Sequence, residues 1–279
     1  MRIGEPASAE SGVVGNMRAG VLEQKFLLTG RDGDPNNYLL NVGRTGTGGW
    51  STPRHRHNFD QIRYVIKGTY PYAKGKTMPE GSVAYFPEGV HYGPQDRPEG
   101  LEMMVCQFGG ASGSGYLSVA QREAANDALK KKGEFKDGVF TYFDERGQRH
   151  NKDGFEACYE EATGKPLVYP KPRYDDVILM LPENHEWITE ATPGVATKCL
   201  GSFTERNIRI GFVRIDEGAT FSAGEQPSIE LLFLSKGRVT LDGRKYEPHS
   251  AFEFLPQEGP IPVKAVVQAE LLRIILPKF

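Results

Sequence analysis

Short apolar runs that end in glycine or in proline and glycine recur along the chain, and this pattern constrains the fold most. Examples are "NYLLNVG" at 37–43, "IRYVIKG" at 62–68 and "SVAYFPEG" at 82–89. Runs of this length between turn-forming residues are typical of β-strands. The 33 glycines and 19 prolines are spread along the sequence without a low-complexity run. The pattern therefore predicts many short strands joined by turns, and an all-β fold.

Between residues 118 and 175 the pattern becomes helical. "SVAQREAANDALKKKG" at 118–133 combines an N-cap serine, strong helix formers and a final glycine, which together predict a helix. "DGFEACYEEATG" at 153–164 predicts a second helix that begins near Asp153, and the residues between the helices predict a hairpin. Strand-like runs return after Ile178. We therefore expect two β regions, at 1–117 and 176–279, separated by a helical insert and linker at 118–175.

The two β regions share a layout, which indicates an internal duplication. Gln61 and Glu230 each stand seven residues before a glycine. A small residue then precedes a proline by six positions in both "GSVAYFPEG" and "SAFEFLPQEG". Each copy would span about a hundred residues, the size of one small β domain.

Charge, hydropathy and cysteine content exclude several classes of protein. The net charge is −2, from 34 basic and 36 acidic residues, so the chain lacks the basic excess that nucleic-acid binding requires. No stretch of eighteen apolar residues predicts a membrane span, and the first residues lack the apolar core of a signal peptide. Cys106, Cys158 and Cys199 form no CxxC motif, so we interpret them as three buried thiols in a cytoplasmic protein.

The stretch "RHRHNFDQIRYVIKG" at 54–68 places two histidines in front of a predicted strand. Alternate residues of a strand share a face, so His55 and His57 should point together, with Gln61 and Arg63 following on the same side. A third histidine, His91, comes after the next strands. Three imidazoles that converge inside a barrel would bind one divalent transition metal: Fe, Mn, Ni, Cu or Zn. A His-x-His pair alone is more often a surface feature than a metal site, so the wider spacing matters.

That wider spacing resembles the two motifs of the cupin superfamily. "GWSTPRHRHNFDQIRYVIKG" at 49–68 is similar to the first motif, and "GSVAYFPEGVH" at 81–91 is similar to the second. The resemblance implies a bicupin, which consists of two jelly-roll barrels in tandem. It also implies that His55, His57 and His91 hold the metal in the N-terminal barrel.

Two departures from the family pattern affect the site. The usual glutamate of the first motif is Gln61, which would either bind the metal weakly through its amide oxygen or hydrogen-bond a metal-bound water. One residue separates Gly89 from His91 where the family often has two, so His91 could sit differently.

The C-terminal copy lacks these histidines. Gly224 and Gln226 stand where the first copy has its His-x-His pair, and "PQEGPIP" at 256–262 contains no histidine. One carboxylate, Glu230, and one amide make a poor transition-metal site. We therefore predict a metal-free second barrel that serves packing, dimerisation or an accessory pocket, with a homodimer as one possible assembly.

A site of three neutral imidazoles resembles that of gentisate-type cupin dioxygenases. This favours Fe(II) and a dioxygenase that acts on a small carboxylate-bearing or dicarbonyl substrate. If Gln61 is a fourth ligand, the site instead resembles cupin lyases, isomerases and cyclases, in which the metal is a Lewis acid. The third alternative is a non-catalytic bicupin that binds a small molecule.

Arg63 is the leading candidate for substrate binding, because a guanidinium inside the barrel needs a partner and a substrate carboxylate would supply one. The alternative partner is Asp60. Tyr92 and Gln107 are further candidates for the catalytic pocket, and Trp50 could form its wall. The expected substrate is therefore a small anion.

Overall fold

The computed structural model describes residues 1–14, 19–114 and 116–279. The strands that precede the first helix are β1 (Arg2–Gly4), β2 (Glu10–Val14), β3 (Ala19–Thr29), β4 (Tyr38–Thr52), β5 (Asp60–Lys67), β6 (Tyr70–Ala73), β7 (Lys76–Met78), β8 (Val83–Phe86), β9 (Gln95–Arg97) and β10 (Glu102–Phe108). The insert consists of α1 (Val119–Leu129), β11 (Gly133–Lys136), β12 (Val139–Phe143), β13 (Arg149–Asp153) and α2 (Gly154–Thr163).

The remaining strands are β14 (Ile178–Met180), β15 (Ile188–Thr189), β16 (Val195–Phe203), β17 (Ile208–Ile215), β18 (Thr220–Ala223), β19 (Glu230–Leu241), β20 (Arg244–Tyr246), β21 (Ala251–Phe254) and β22 (Ile261–Ile275), with one 3₁₀ turn at Pro182–Asn184.

Each barrel is built on one large sheet of antiparallel strands. The N-terminal sheet has the order β14-β8-β5-β10-β4-β3-β2, and β9 also pairs with β4. The C-terminal sheet has the order β1-β21-β19-β22-β17-β16-β15, and β18 and β20 pair with β22 and β19. The predicted class, an all-β chain of two cupin barrels in tandem with a small helical insert, is confirmed.

The two sheets exchange strands. β1 pairs with β21 of the C-terminal sheet, in the register Ile3 to Phe252. β14, which follows the insert, pairs with β8 of the N-terminal sheet, in the register Leu179 to Ala84. The domain division at residues 117 and 175 stays a prediction. The hydrogen-bonded sheets cross this division in both directions.

One hydrophobic core joins the barrels. Tyr64 points away from the N-terminal cavity, and its ring centroid lies 6.0 Å from that of Phe212 and 6.3 Å from that of Phe233 in the C-terminal barrel. The first six residues of β5 are therefore all buried. One face of the strand lies against the other barrel, and the opposite face lines the interior of its own barrel.

The insert forms as its sequence predicts. Ser118 caps α1 in a capping box with Gln121, whose side chain accepts a hydrogen bond from the Ser118 backbone. Asp153 caps α2, and Gly164 ends it in the left-handed region, at φ 65°. Between the helices, β11, β12 and β13 form a three-stranded sheet rather than a simple hairpin.

The thiol prediction is correct for two of the three cysteines. Cys106 and Cys158 are buried, but Cys199 on β16 is exposed. The helices of the described residues are also too short and too polar to cross a bilayer, which needs roughly twenty apolar residues.

Candidate functional site

The N-terminal barrel contains a cavity of about 130 Å³. This is the volume of roughly four water molecules, at about 30 Å³ each in the liquid. Its polar lining residues are Gln24, Asn41, Thr52, His55, His57, Arg63, Tyr92, Gln95, Arg97, Gln107 and Arg122. Its apolar lining residues are Leu22, Leu39, Trp50, Phe59, Val105 and Phe155. Arg122 and Phe155 belong to α1 and α2, so the insert forms part of the cavity wall.

His55 and His57 lie at this cavity, as predicted. Their ring centroids are 5.0 Å apart, with the rings nearly perpendicular. Nδ1 of His55 is 2.7 Å from the carbonyl oxygen of Pro53, which can only accept a hydrogen bond. This fixes the proton of a neutral His55 on Nδ1 and leaves the lone pair on Nε2. The His57 ring stacks on Phe59 at 4.5 Å and contacts Phe155 edge-on at 4.7 Å.

His91 does not join them. It is exposed, whereas the next residue, Tyr92, is buried and lines the cavity. The backbones of His55 and Tyr92 exchange two hydrogen bonds of 2.9 Å, so the side chains of this antiparallel pair share a face. The ring centroid of Tyr92 is 4.4 Å from that of His55. With one residue after Gly89 instead of two, the inward position of the second motif falls on the tyrosine.

The predicted three-histidine ligand set is therefore not assembled. Within the described part of the chain, no group of three or more His, Cys, Asp or Glu residues could hold a metal ion. Gln61 is also engaged elsewhere, because its Oε1 accepts hydrogen bonds from Arg63 at 2.8 Å and Gln107 at 3.3 Å. Two imidazoles and the Tyr92 phenol are the donors that converge, and this set does not fit the site expected from the resemblance.

Arg63 lines the cavity, and a second arginine, Arg97, accompanies it. Both are at least nine-tenths buried. Burial lowers the pKa of each to about 10, so both guanidiniums remain charged at neutral pH. Arg63 donates hydrogen bonds to Gln61, to Tyr70 and, at 3.2 Å, to the Tyr92 hydroxyl. Arg97 donates to Gln95 at 2.9 Å.

All of these partners are neutral. Among the described residues, no carboxylate lies within salt-bridge distance of Arg63 or Arg97. Asp60, the alternative partner, points to the other side of β5, where it accepts hydrogen bonds from Tyr85 and the Glu88 backbone. Near these arginines, three buried atoms of the lining have no hydrogen-bond partner: Nε of Arg63, Nε2 of Gln95 and Oγ1 of Thr52. All three can donate, so this end of the cavity suits an anion.

The other predicted catalytic residues also lie in the cavity. Tyr92 accepts a hydrogen bond of 2.7 Å from Gln61 Nε2, and Gln107 accepts one of 3.0 Å from Tyr116. Sequence reasoning missed Arg97 and Arg122. Arg97 alternates with Gln95 on β9, a period-two signal that could have placed it inside. Arg122 lies on a helix far along the sequence, and nothing in its local pattern indicates contact with the barrel.

In the C-terminal barrel Glu230, the residue that matches Gln61, neutralises an arginine on β22. Nε of Arg273 donates to Oε1 of Glu230 at 2.6 Å, and Oε2 of Glu230 accepts from the Gly224 backbone at 2.8 Å. Gly224, in the position of His55, has a φ of 82°, and an added Cβ would lie 2.9 Å from the Gly259 nitrogen. A metal-binding side chain could not be accommodated there.

Comparisons with known proteins find structural relatives only. No protein-family model matches the sequence, and no curated protein matches it significantly. A Nostoc punctiforme protein assigned as a dioxygenase superposes with a TM-score of 0.64 at 11% identity, over 99% of this chain and 82% of the other. Oxalate decarboxylase from Bacillus subtilis gives 0.55 at 16% identity, over 99% and 76%.

A third similar structure is HEPD from Streptomyces albus, which contains 2-hydroxyethylphosphonate as substrate and Fe(II). Its TM-score is 0.57 at 14% identity, over 99% of this chain and 76% of the other. At such low identity, similarity of structure establishes the fold and not the activity. The chain has the two-barrel fold of the bicupins.

Proposed function

We propose that the chain is an enzyme that binds a small organic acid in its N-terminal barrel and acts on it there. One observation carries the proposal: Arg63 and Arg97 are buried beside a cavity, and their described partners are all neutral. An uncompensated buried charge is costly. A bound carboxylate would offset that cost by supplying the missing counter-charge and by accepting charge-assisted hydrogen bonds, for which Nε of Arg63 is available.

The groups that would act on the bound acid are His55 and Tyr92. The lone pair on His55 Nε2 suits a general base. The Tyr92 oxygen already accepts hydrogen bonds from Gln61 and Arg63, so its own proton is left to be donated. A base and a donor whose ring centroids are 4.4 Å apart could move a proton on or off a carbon or oxygen next to the carboxylate.

A divalent transition metal would have fewer protein ligands here than the resemblance implies. Fe(II) in the Streptomyces albus structure supports such a cofactor, and His55 and His57 are the imidazoles that would bind it; His55 would then be a ligand and not the general base. When bound, the metal would supply Lewis-acid or redox chemistry. Because the three-histidine set is missing, the iron dioxygenase remains one of three alternatives, beside a non-redox lyase or isomerase and a non-catalytic binder.

Ligand binding tests the core of the proposal. Trp50 lines the cavity, so small mono- and dicarboxylic acids can be titrated by tryptophan fluorescence and checked by calorimetry. Arg63→Met and Arg97→Met should each weaken the best acid at least tenfold while leaving the protein equally or more stable, since each removes an unpaired buried charge. Arg31→Met, at an exposed site, is the control. Unchanged affinity in both buried variants would contradict the proposal.

Metal content and oxygen use separate the three reaction classes. Elemental analysis of the purified protein is paired with turnover of the binding acids in air and under nitrogen. Stoichiometric iron with oxygen uptake supports the dioxygenase, and turnover under nitrogen supports the non-redox enzyme. Binding without turnover in either condition would leave only the non-catalytic alternative.

A further inference from the structure

Arg122 is a third arginine of the same cavity, and it comes from the helical insert rather than from the barrel. It lies on the first turn of α1, and its guanidinium carbon is 5.9 Å from the ring centroid of Tyr116. Its Nε is buried without a hydrogen-bond partner. No carboxylate of the described chain forms an ion pair with it.

Arg122 and Arg63 lie at different ends of the cavity. Tyr116, beside Arg122, packs edge-on against Phe59 at 5.2 Å between centroids. Phe59 stands just before β5, and Arg63 lies three positions after the first residue of that strand, a span of about 10 Å at roughly 3.3 Å per residue. Between the two arginines runs a polar wall, in which Tyr116 donates to Gln107 and Gln107 donates to Gln61.

Both ends of the cavity present hydrogen-bond donors that have no partner. At the inner end, Arg63 Nε and Gln95 Nε2 are unpartnered donors, and at the insert end Arg122 Nε is another. The wall between them consists of neutral amides and hydroxyls whose hydrogen bonds are made with each other. A molecule with one acidic group would supply a counter-charge at one end and leave the arginine at the other end without one.

We propose that the ligand of this cavity is a short dicarboxylic acid, with one carboxylate on Arg63 and Arg97 and the other on Arg122. This inference rests on the proposed binding of an organic acid in the N-terminal barrel and specifies its class. The small cavity restricts the chain between the two carboxylates to a few carbon atoms. The helical insert thereby becomes a specificity element, since it supplies the cation that recognises the second acidic group.

The test compares acids of equal carbon number: succinate with butyrate, and glutarate with valerate, each by calorimetry. In the wild type, the better dicarboxylate should bind at least tenfold more tightly than its monocarboxylate partner. Arg122→Gln should reduce that ratio to threefold or less, and Arg122→Lys should retain most of it. Arg146→Gln, at an exposed position of the same insert, should leave the ratio unchanged. Thermal unfolding midpoints verify that each variant is folded.

The outcomes separate this inference from the function on which it rests. If the wild type binds both kinds of acid equally, or if Arg122→Gln keeps the full ratio, the dicarboxylate inference is overturned and acid binding survives. If the wild type binds neither kind of acid, acid binding in the N-terminal barrel is itself overturned, and the inference with it.

Discussion

The two barrels differ in the charge of the side chain that accepts a hydrogen bond from an arginine at matching positions, Glu230 and Gln61. In the C-terminal barrel, Glu230 neutralises Arg273 through a 2.6 Å ion pair. In the N-terminal barrel, the matching position is Gln61, whose amide oxygen accepts from Arg63 but carries no charge. The register supports the correspondence, because Gln61 pairs with Phe86 and Glu230 with Phe254. The carboxylate of Glu230 gives Arg273 a counter-charge, whereas the amide of Gln61 leaves Arg63 able to attract an anion.

The largest effect is expected when the Glu230 carboxylate of the C-terminal barrel is removed. Glu230→Gln leaves Arg273 without its counter-charge and should lower the free energy of unfolding by about 3 kcal/mol. Urea unfolding measures this loss. The control is Glu247→Gln, which breaks the exposed ion pair with Arg238 and should cost less than about 1 kcal/mol. Equal losses in the two variants would show that the buried pair stabilises no more than a surface pair.

The next effect is a pH dependence that originates in the N-terminal barrel. Burial and the neighbouring Glu88 raise the pKa of Asp60 to about 7, well above its value of about 3.9 in the unfolded chain. The folded state therefore holds this proton more tightly than the unfolded chain does. The stability that Asp60 contributes is fully present below pH 4 and is lost as the pH rises through 7.

We expect the wild type to lose on the order of 1–3 kcal/mol of unfolding free energy between pH 5 and pH 8. Asp60→Asn, which stays neutral, should lose distinctly less, as measured by urea unfolding at both pH values. Asp127→Asn, at an exposed position, should behave like the wild type. If Asp60→Asn showed the same pH dependence as the wild type, another group would be its source.

A smaller effect is expected when the N-terminal barrel receives the carboxylate that the C-terminal barrel has. Gln61→Glu places a carboxylate next to Arg63, so the affinity for organic acids should fall about tenfold, or about 1.4 kcal/mol. The protein should become more stable because the arginine gains a counter-charge. Gln148→Glu, at an exposed turn, controls for the change in net charge. Undiminished binding in Gln61→Glu would mean that Arg63 does not contact the acid.

The smallest effect concerns the thiols and leaves stability almost unchanged. Cys106 on β10 is buried, and burial raises the pKa of its thiol well above the usual range, whereas Cys199 on β16 is exposed. A thiol reagent should modify one cysteine per native chain and all three after unfolding. Cys199→Ser should abolish the native reaction, and a second reactive thiol in the native state would contradict the assignment.

Much of the fold could be predicted from the sequence. Glycine-closed apolar runs identify the strands, and the helix caps Ser118 and Asp153 stand where propensity places them. These features are local, since they depend on neighbours within a few positions. The strand exchange is not local, and no pattern in residues 2–4 or 178–180 indicates which sheet they join.

The candidate site could be predicted only in part, for the same reason. Strand parity correctly aligned His57, Gln61 and Arg63 towards the interior. The prediction that His91 points into the cavity was wrong, because a loop one residue shorter turns Tyr92 inward and His91 outward. Arg122 could not be found at all, since a helix contributes it across a distance that no sequence period spans.

The exchange of strands has a consequence for how the protein is made. The N-terminal sheet receives β14 only after residue 180 has been synthesised, and until then β8 keeps an unpaired edge. The C-terminal sheet, in turn, includes a strand at residues 2–4, which must wait until β21 is available. Neither barrel can be completed from its own contiguous residues, so we expect fragments cut at residue 117 or 175 to associate or aggregate rather than fold alone.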